Sequence, residues 1–476
     1  VDGEGIDTSG SDYTQIISKT AEINAGIYAK NLDVITGSNQ VSYEDNATNT
    51  VITANNSDKN SATNKATGVA LDVSALGAMY AGKIRLIGTD KGMGVTNAGS
   101  IVASAGGLQL DHNGNLINSG SMIANQGSVD ITTHNAKVDN SGTIASSRDR
   151  ISVTGSDLTN SGVISSRDTL KLQQTGSINN LGEIAAGSFD IKSAQLNNSG
   201  SLLQTGSGKL AIDTSQLINK QGGIIGQDLY PSDSNTPPSV TPPKTPPTTA
   251  NNGSSVGTNP NSQPSEPNPA PLPSVTRDGN IDANSLTNTG SIYSNGKISA
   301  SADSLVNQDK SSLAVSTFDI ADKGSVTNTD SRLQLDQINW QLTNFDNSKG
   351  QIITNGGIAL DAENGINNTK GVLVSNGEIT LKTKGDINNN AGLVQSNSNL
   401  STDSSRLNNN NGKLISQGVV TINSRGDITN TKGEISSVKD TTITSKSLDN
   451  DNGQITAQGS LTTNSDSLNN SGQIYG

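Results

Sequence analysis

An apolar residue followed two positions later by asparagine recurs about every twenty residues through most of this chain. The apolar member is Val95, Leu116, Val138, Leu158, Ile178, Leu196 and Leu217 in a first series. It is Leu286, Leu305, Val326, Phe345, Ile366, Ile387, Leu407, Ile428, Leu448 and Leu468 in a second. The asparagines run from Asn97 to Asn470, and glycine usually follows within two or three residues. Neighbouring steps are 18–22 residues long, apart from the gap between Leu217 and Leu286. A unit of that size cannot bury a core by itself, but stacked units can, so the period predicts a solenoid. In such a fold, function is expected in length and surface rather than in one catalytic pocket.

Individual coils show how the period is filled. Leu116-Ile117-Asn118-Ser119-Gly120 opens one; Met122-Ile123-Ala124, Gly127 and the alternating Val129-Asp130-Ile131 follow, and a polar stretch leads to Val138. The coil from Ile366 repeats the plan with Gly371, Val372-Leu373-Val374, Gly377 and Ile379-Thr380-Leu381. Three short apolar segments between Gly, Asn and Ser turns read as three half-buried strands. Helix is a poor alternative, because the apolar residues do not recur at i, i+3 and i+4, and Gly or Asn interrupts nearly every window. The pattern predicts an all-β, parallel β-helical solenoid of about 20-residue coils, with strands pairing about 4.8 Å apart along the axis. Asn tolerates the left-handed angles of a sharp turn, which is one reason for its presence. Strict recurrence at one place in the coil asks for more, and we expect the side-chain amides to stack into a ladder.

Composition fits this frame. The chain of 476 residues is 30% apolar and 2% aromatic. Large side chains for a globular core are scarce, whereas a coil needs a thin stripe of Val, Ile, Leu and Ala. A net charge of −12 argues against nucleic acid as a partner, which would need a basic face. The absence of cysteine excludes disulfides and thiolate metal sites. No apolar run approaches the roughly 20 residues that cross a bilayer as a helix. The chain starts at Val1 with no visible signal peptide, so it reads as an interior or processed piece of a longer protein.

All 13 prolines fall between Pro231 and Pro273. The segment has no apolar pattern of its own and is expected to be disordered or polyproline-like. It is either a hinge between two rods or a loop extruded from one. Leu217 to Leu229 and Gly279 to Ser285 together make one 20-residue coil, which favours a loop over residues 230–278. In the first ninety residues, Ile27-Tyr28-Ala29 with Leu32-Asp33-Val34-Ile35, and Met79-Tyr80-Ala81 with Ile84-Arg85-Leu86-Ile87, look like two related coils. The polar insertion between them, about Ser42 to Lys65, is expected to project from the rod.

The run from Ala75-Leu76-Gly77-Ala78-Met79-Tyr80-Ala81-Gly82-Lys83-Ile84-Arg85-Leu86-Ile87-Gly88-Thr89 through Gly92-Met93-Gly94-Val95 and Asn97-Ala98-Gly99 resembles filamentous haemagglutinin-type exoproteins. So does Glu22-Ile23-Asn24-Ala25-Gly26 with Val34-Ile35-Thr36-Gly37-Ser38-Asn39. In that family these runs close the amino-terminal two-partner secretion domain, and the later coils resemble its haemagglutinin repeats. The resemblance implies a right-handed parallel β-helix, secreted through an outer-membrane β-barrel transporter and displayed at the bacterial cell surface. It divides the chain into the end of a secretion-type domain (1–90, with the projecting loop 42–65), repeats (91–229), a Pro-rich loop (230–278) and further repeats (279–476). The family's Asn-Pro-Asn secretion motifs are absent from this sequence. Members act as adhesins or as stalks of contact-dependent growth inhibition toxins. A target-cell receptor is therefore expected to meet regions outside this chain.

Few residues suggest chemistry. His112 and His134 each lie four residues before an anchor, at what look like equivalent places in adjacent coils. Stacked about 5 Å apart with Asp111 nearby, they would be the start of a metal site, but further ligands are missing. A β-helical carbohydrate-active enzyme is the rival to a stalk. It would need paired carboxylates in a cleft and aromatics to grip sugar. Here the acids are scattered, and Trp340 and Phe345 sit near an anchor, where core packing is the expected role. No P-loop, dinucleotide fingerprint, calcium nonapeptide or triad spacing occurs. The reading assigns no catalytic residue, metal or cofactor, and expects a non-enzymatic stalk.

Overall fold

A computed structural model of the chain describes residues 1–44, 49–54, 68–227, 278–294 and 296–476. It is an all-β parallel solenoid of about 19 turns, with roughly 21 residues per turn and no helix among the described residues. Each regular coil contributes three strands. In one coil these are Leu116–Asn118, Ser121–Ala124 and Val129–Thr132. They pair in parallel with Val138–Asn140, Thr143–Ser146 and Ile151–Gly155 of the next coil. Three stacked sheets result: an anchor face, a second face and a third face. The hairpin of Asn39–Glu44 and Asn49–Ala54 is antiparallel and separate from them, within the polar insertion.

The period-two alternation of each strand decides what is inside. Leu116, Met122, Val129 and Ile131 point inward and are buried, whereas Ile117 between Leu116 and Asn118 points out. The equivalent residues above and below are again Val, Ile or Leu, so each coil closes the apolar surface of its neighbours. Burying one such side chain is worth about 1.5–3 kcal/mol. Trp340 and Phe345 belong to this core, and the Trp340 indole N–H donates to the Phe318 carbonyl at 2.7 Å.

Where the chain turns between faces, the inward positions become polar. At the anchor corner the asparagines form the expected ladder. From Asn97 to Asn470 each Nδ2 donates to the Oδ1 of the next coil's asparagine at 2.7–2.9 Å, without a break. The same nitrogen also donates to backbone, as Asn389 does to the Lys413 carbonyl at 3.2 Å. The ladder steps directly from Asn219 to Asn288, and Leu210–Asn219 pairs in register with Asp278–Asn288. Residues 228–277, which include every proline, lie outside the described residues. At its upstream end, Val73 stands opposite Asn97, and the Asn97 Oδ1 is buried without a donor. The other two corners carry shorter polar columns, such as Ser396 and Ser416, whose hydroxyls donate to the Gly377 and Ser398 carbonyls.

Turn chemistry falls elsewhere than the sequence suggested. The ladder asparagines are not in the left-handed region. That conformation is taken two residues later, by Lys349, Lys370, Ala391, Asn411, Lys432 and Asn452, with φ of 50–58°. The glycine that follows is demanded by crowding: a Cβ on Gly371 would lie 2.1 Å from the Asn347 carbonyl oxygen of the preceding coil.

Two outcomes are expected from chemical denaturation. Asn389→Ala should destabilise the rod by about 2–4 kcal/mol, because it strands buried polar partners on Asn368 and Asn409. Asn389→Asp keeps the shape but removes the donor, and should be worse than alanine. Ala391→Gly should stabilise by up to about 1 kcal/mol by relieving left-handed backbone strain.

Candidate functional site

The two histidines do not stack. His112 is 1% exposed and points inward, in the corner between the third and anchor faces. Its partner in the next coil is Thr133, because the turn from Thr133 to Lys137 holds one residue more than that from His112 to Asn115. His134 falls in this longer turn, with φ of 46°, and reaches Asp111 on the outside at 2.5 Å. Counting back from the anchor therefore misaligned the pair by one residue. Among the described residues no group of three or more His, Cys, Asp or Glu is arranged to hold a metal.

His112 instead locks three segments together. Its ring lies over Gly88, where a Cβ would come within 1.8 Å of Nε2. The Met93 carbonyl, 2.9 Å from Nδ1, can only accept, so Nδ1 carries the proton. Nε2 is then an acceptor and shares the Thr36 hydroxyl, 3.2 Å away, with the Ile87 carbonyl at the same distance. Burial holds the imidazole pKa below its ordinary value, against a smaller opposing pull from the Met93 carbonyl, Asp111 and Asp90. The same arrangement recurs three coils on, where Gln174 stands opposite Gly155.

A second polar cluster was not singled out from sequence. Asp33, 5% exposed, accepts from Arg85 Nε at 3.0 Å, and also from Arg85 Nη2 and the Tyr13 hydroxyl. Burial opposes the Arg85 charge, but its hydrogen bond and attraction to Asp33 prevail and raise the guanidinium pKa. The signal was available: Asp33 and Arg85 occupy the same position in the two related coils. On the second face of the same two coils, Tyr28 and Tyr80 stack with ring centroids 5.4 Å apart. These groups brace neighbouring coils.

The outer surface is lined by columns. On the third face acids and bases alternate along the axis, as in Arg150–Asp130, Lys171–Asp190, Lys192–Asp213, Lys382–Asp361 and Arg425–Asp403. Two open depressions, of about 460 and 440 Å³, lie where the third face meets the anchor face. They are lined by Asp303, Lys323 and Thr343, and by Asp213, Asp282 and Asp319, with no aromatic side chain. Phe318, Trp340 and Phe345, the aromatics nearest in sequence, are buried in the core.

Comparison with known proteins gives this surface a context. Residues 1–118 match the TPS secretion domain, and residues 123–229 and 433–475 match the haemagglutinin repeat. The chain is 44% identical over 125 residues to a protein named Toxin CdiA from Yersinia pestis, covering 25% of this chain and 3% of that protein. It is 43% identical over 118 residues to tRNA nuclease CdiA-2 of Burkholderia pseudomallei, covering 25% and 4%. A Toxin CdiA from Escherichia coli is 29% identical over 231 residues, covering 48% and 7%. This chain thus spans a small fraction of the curated relatives it matches. No solved structure matches.

The depressed His112 pKa makes stability depend on pH. The unfolded chain takes up the proton near 6.5 and the folded chain only at lower pH, so the contribution is complete above 6.5 and is lost as pH falls below it. The thermal midpoint should therefore drop on acidification below 6.5. His112→Gln, copying Gln174, should remove that component and flatten the curve. Parallel curves for the two proteins would show that His112 does not carry it.

Proposed function

We propose that this chain, a two-partner secretion exoprotein of the filamentous haemagglutinin and CdiA family, is a non-catalytic stalk that holds a distal adhesive or toxin-delivery region away from the cell. By family, such exoproteins are secreted or surface-exposed. The TPS domain implies export through a TpsB outer-membrane transporter. The observation that carries the stalk reading is the unbroken asparagine ladder from Asn97 to Asn470, which keeps successive coils in one register. About 19 turns at about 4.8 Å give a rod roughly 90 Å long.

The mechanism is mechanical presentation. Strand pairing and amide stacking resist bending along the axis. A polar surface of net charge −12 keeps the rod soluble. Receptor contact and any toxic activity reside beyond these coils.

A reporter domain joined after Gly476 tests the reading. Co-expressed with its transporter, the fusion should place the reporter at the cell surface, accessible to added protease. Removal of two whole coils, residues 347–388, should shorten the rod by about 10 Å in small-angle scattering and leave display intact. Reproducible cleavage of cell-wall or host polysaccharides by the purified chain would establish the rival, a β-helical carbohydrate-active enzyme.

A further inference from the structure

The three faces differ in charge. Twenty strands stack in register along the second face, from Ile6–Thr8 to Gln473–Tyr475. The first and third residues of each regular strand point outward, as in Ser121–Ala124. From Gly26 onward the charged residues at these positions are Glu183, Arg332, Lys413 and Glu434; Asp7 joins them on the first strand. Most other outward positions hold small or apolar side chains, among them Tyr80, Val102, Ile123, Leu203, Tyr293 and Val374. The third face is crossed by ion pairs along its length, whereas on the second face the charged residues form one, Lys413–Glu434 at 2.8 Å. An apolar strip of this length, beside a face crossed by ion pairs and another lined mainly by Thr and Asn, marks an interaction surface.

We propose that two copies of this chain pair side by side and antiparallel through the second face, about a twofold axis between the Ile224–Gln227 and Ser291–Tyr293 strands. An isologous contact must be complementary to itself, and the charges set the register. Two strands, Ser201–Gln204 and Ile224–Gln227, separate Glu183 from this axis. Two strands, Ser291–Tyr293 and Ser312–Ala314, separate Arg332 from it on the other side. Glu183 of each copy therefore meets Arg332 of the other, twice in the dimer. Within the chain, neither has an oppositely charged partner among the described residues, and Arg332 donates to the neutral Gln334. The same axis sets Lys413 against the Ser100–Ala103 strand and Glu434 against the strand that begins at Ala78. Asp7 meets Gln473–Tyr475, so no like charges face one another. All twenty strands overlap. At about 4.8 Å per strand and about 13 Å of width, the contact covers roughly 1,200 Å² per copy, above the roughly 800 Å² of a standard stable interface.

Sedimentation velocity of the 476-residue chain tests this. A dimer whose share rises with protein concentration is expected. Glu183→Arg and Arg332→Glu should each weaken it by about tenfold or more, and the two together should restore it. Val374→Glu should also yield monomer, whereas Thr380→Glu on the third face should change nothing. Each variant should keep the parent's circular dichroism and thermal midpoint. The chain has no cysteine, so Leu203→Cys with Ala314→Cys, which face each other across the axis, should be joined between copies by a short bismaleimide. A chain that stays monomeric at high micromolar concentration overturns the proposal. So does a charge swap that fails to restore the dimer, or a monomer that binds lipid vesicles through Val374 instead.

Discussion

Each amide of the asparagine ladder can donate to the next only if successive coils bring their anchor strands to the same height and the same rotation. A slip of one residue would turn Asn389 outward and drive its outward neighbour Asn388 into the core, flipping every side chain of the strand with it. A serine hydroxyl has one hydrogen, so it cannot donate to the next coil and to a backbone carbonyl at once. Glutamine has the groups but an additional torsion to fix. Asparagine offers one acceptor and two donor hydrogens on a short arm. It uses all three here, toward the coil before, the coil after and the backbone of the turn. In the low-dielectric interior such a chain of bonds polarises along its length, so its middle members are held more tightly than its ends. The uncompensated Oδ1 of Asn97 marks where it starts, at the coil in which Val73 takes the place of an asparagine.

With register fixed at one corner, the rest of the coil has modest requirements. The core needs aliphatic side chains at alternate positions, which is why a chain with 2% aromatic residues can fold over hundreds of residues. The other corners tolerate serine, threonine, glutamine, alanine, or a histidine paired with a glycine. His112 over Gly88 and Gln174 opposite Gly155 are two solutions to one constraint: a long side chain at a corner is accommodated when its neighbour along the axis has none.

What could be read from sequence follows from the same logic. Period, fold class, family and the stacked amides were legible because one residue type recurs at one place, and only axial stacking demands that. Features set by turn length were less legible. The left-handed residue lies two positions after the ladder asparagine, since the asparagine itself is held by its ladder bonds. His112 and His134 looked equivalent because both were counted from the following anchor, while their strands are aligned from the preceding one, with a residue inserted between. The Asp33–Arg85 contact joins residues 52 apart across the polar insertion, although both sit at matched positions of coils already seen to be related.

The alternation that hides every second residue also exposes its neighbours in straight columns at a fixed spacing. Surface properties of such a rod are therefore linear arrays, and a single substitution interrupts one column at one height while leaving the adjacent coils unchanged. Charges placed along the third face find partners of opposite sign one coil away. The second face lacks such pairs over most of its length, so its outward side chains are not held by mutual attraction and offer their area to whatever lies alongside. The interior ladder makes the rod; the difference between its faces decides which side of it meets another surface.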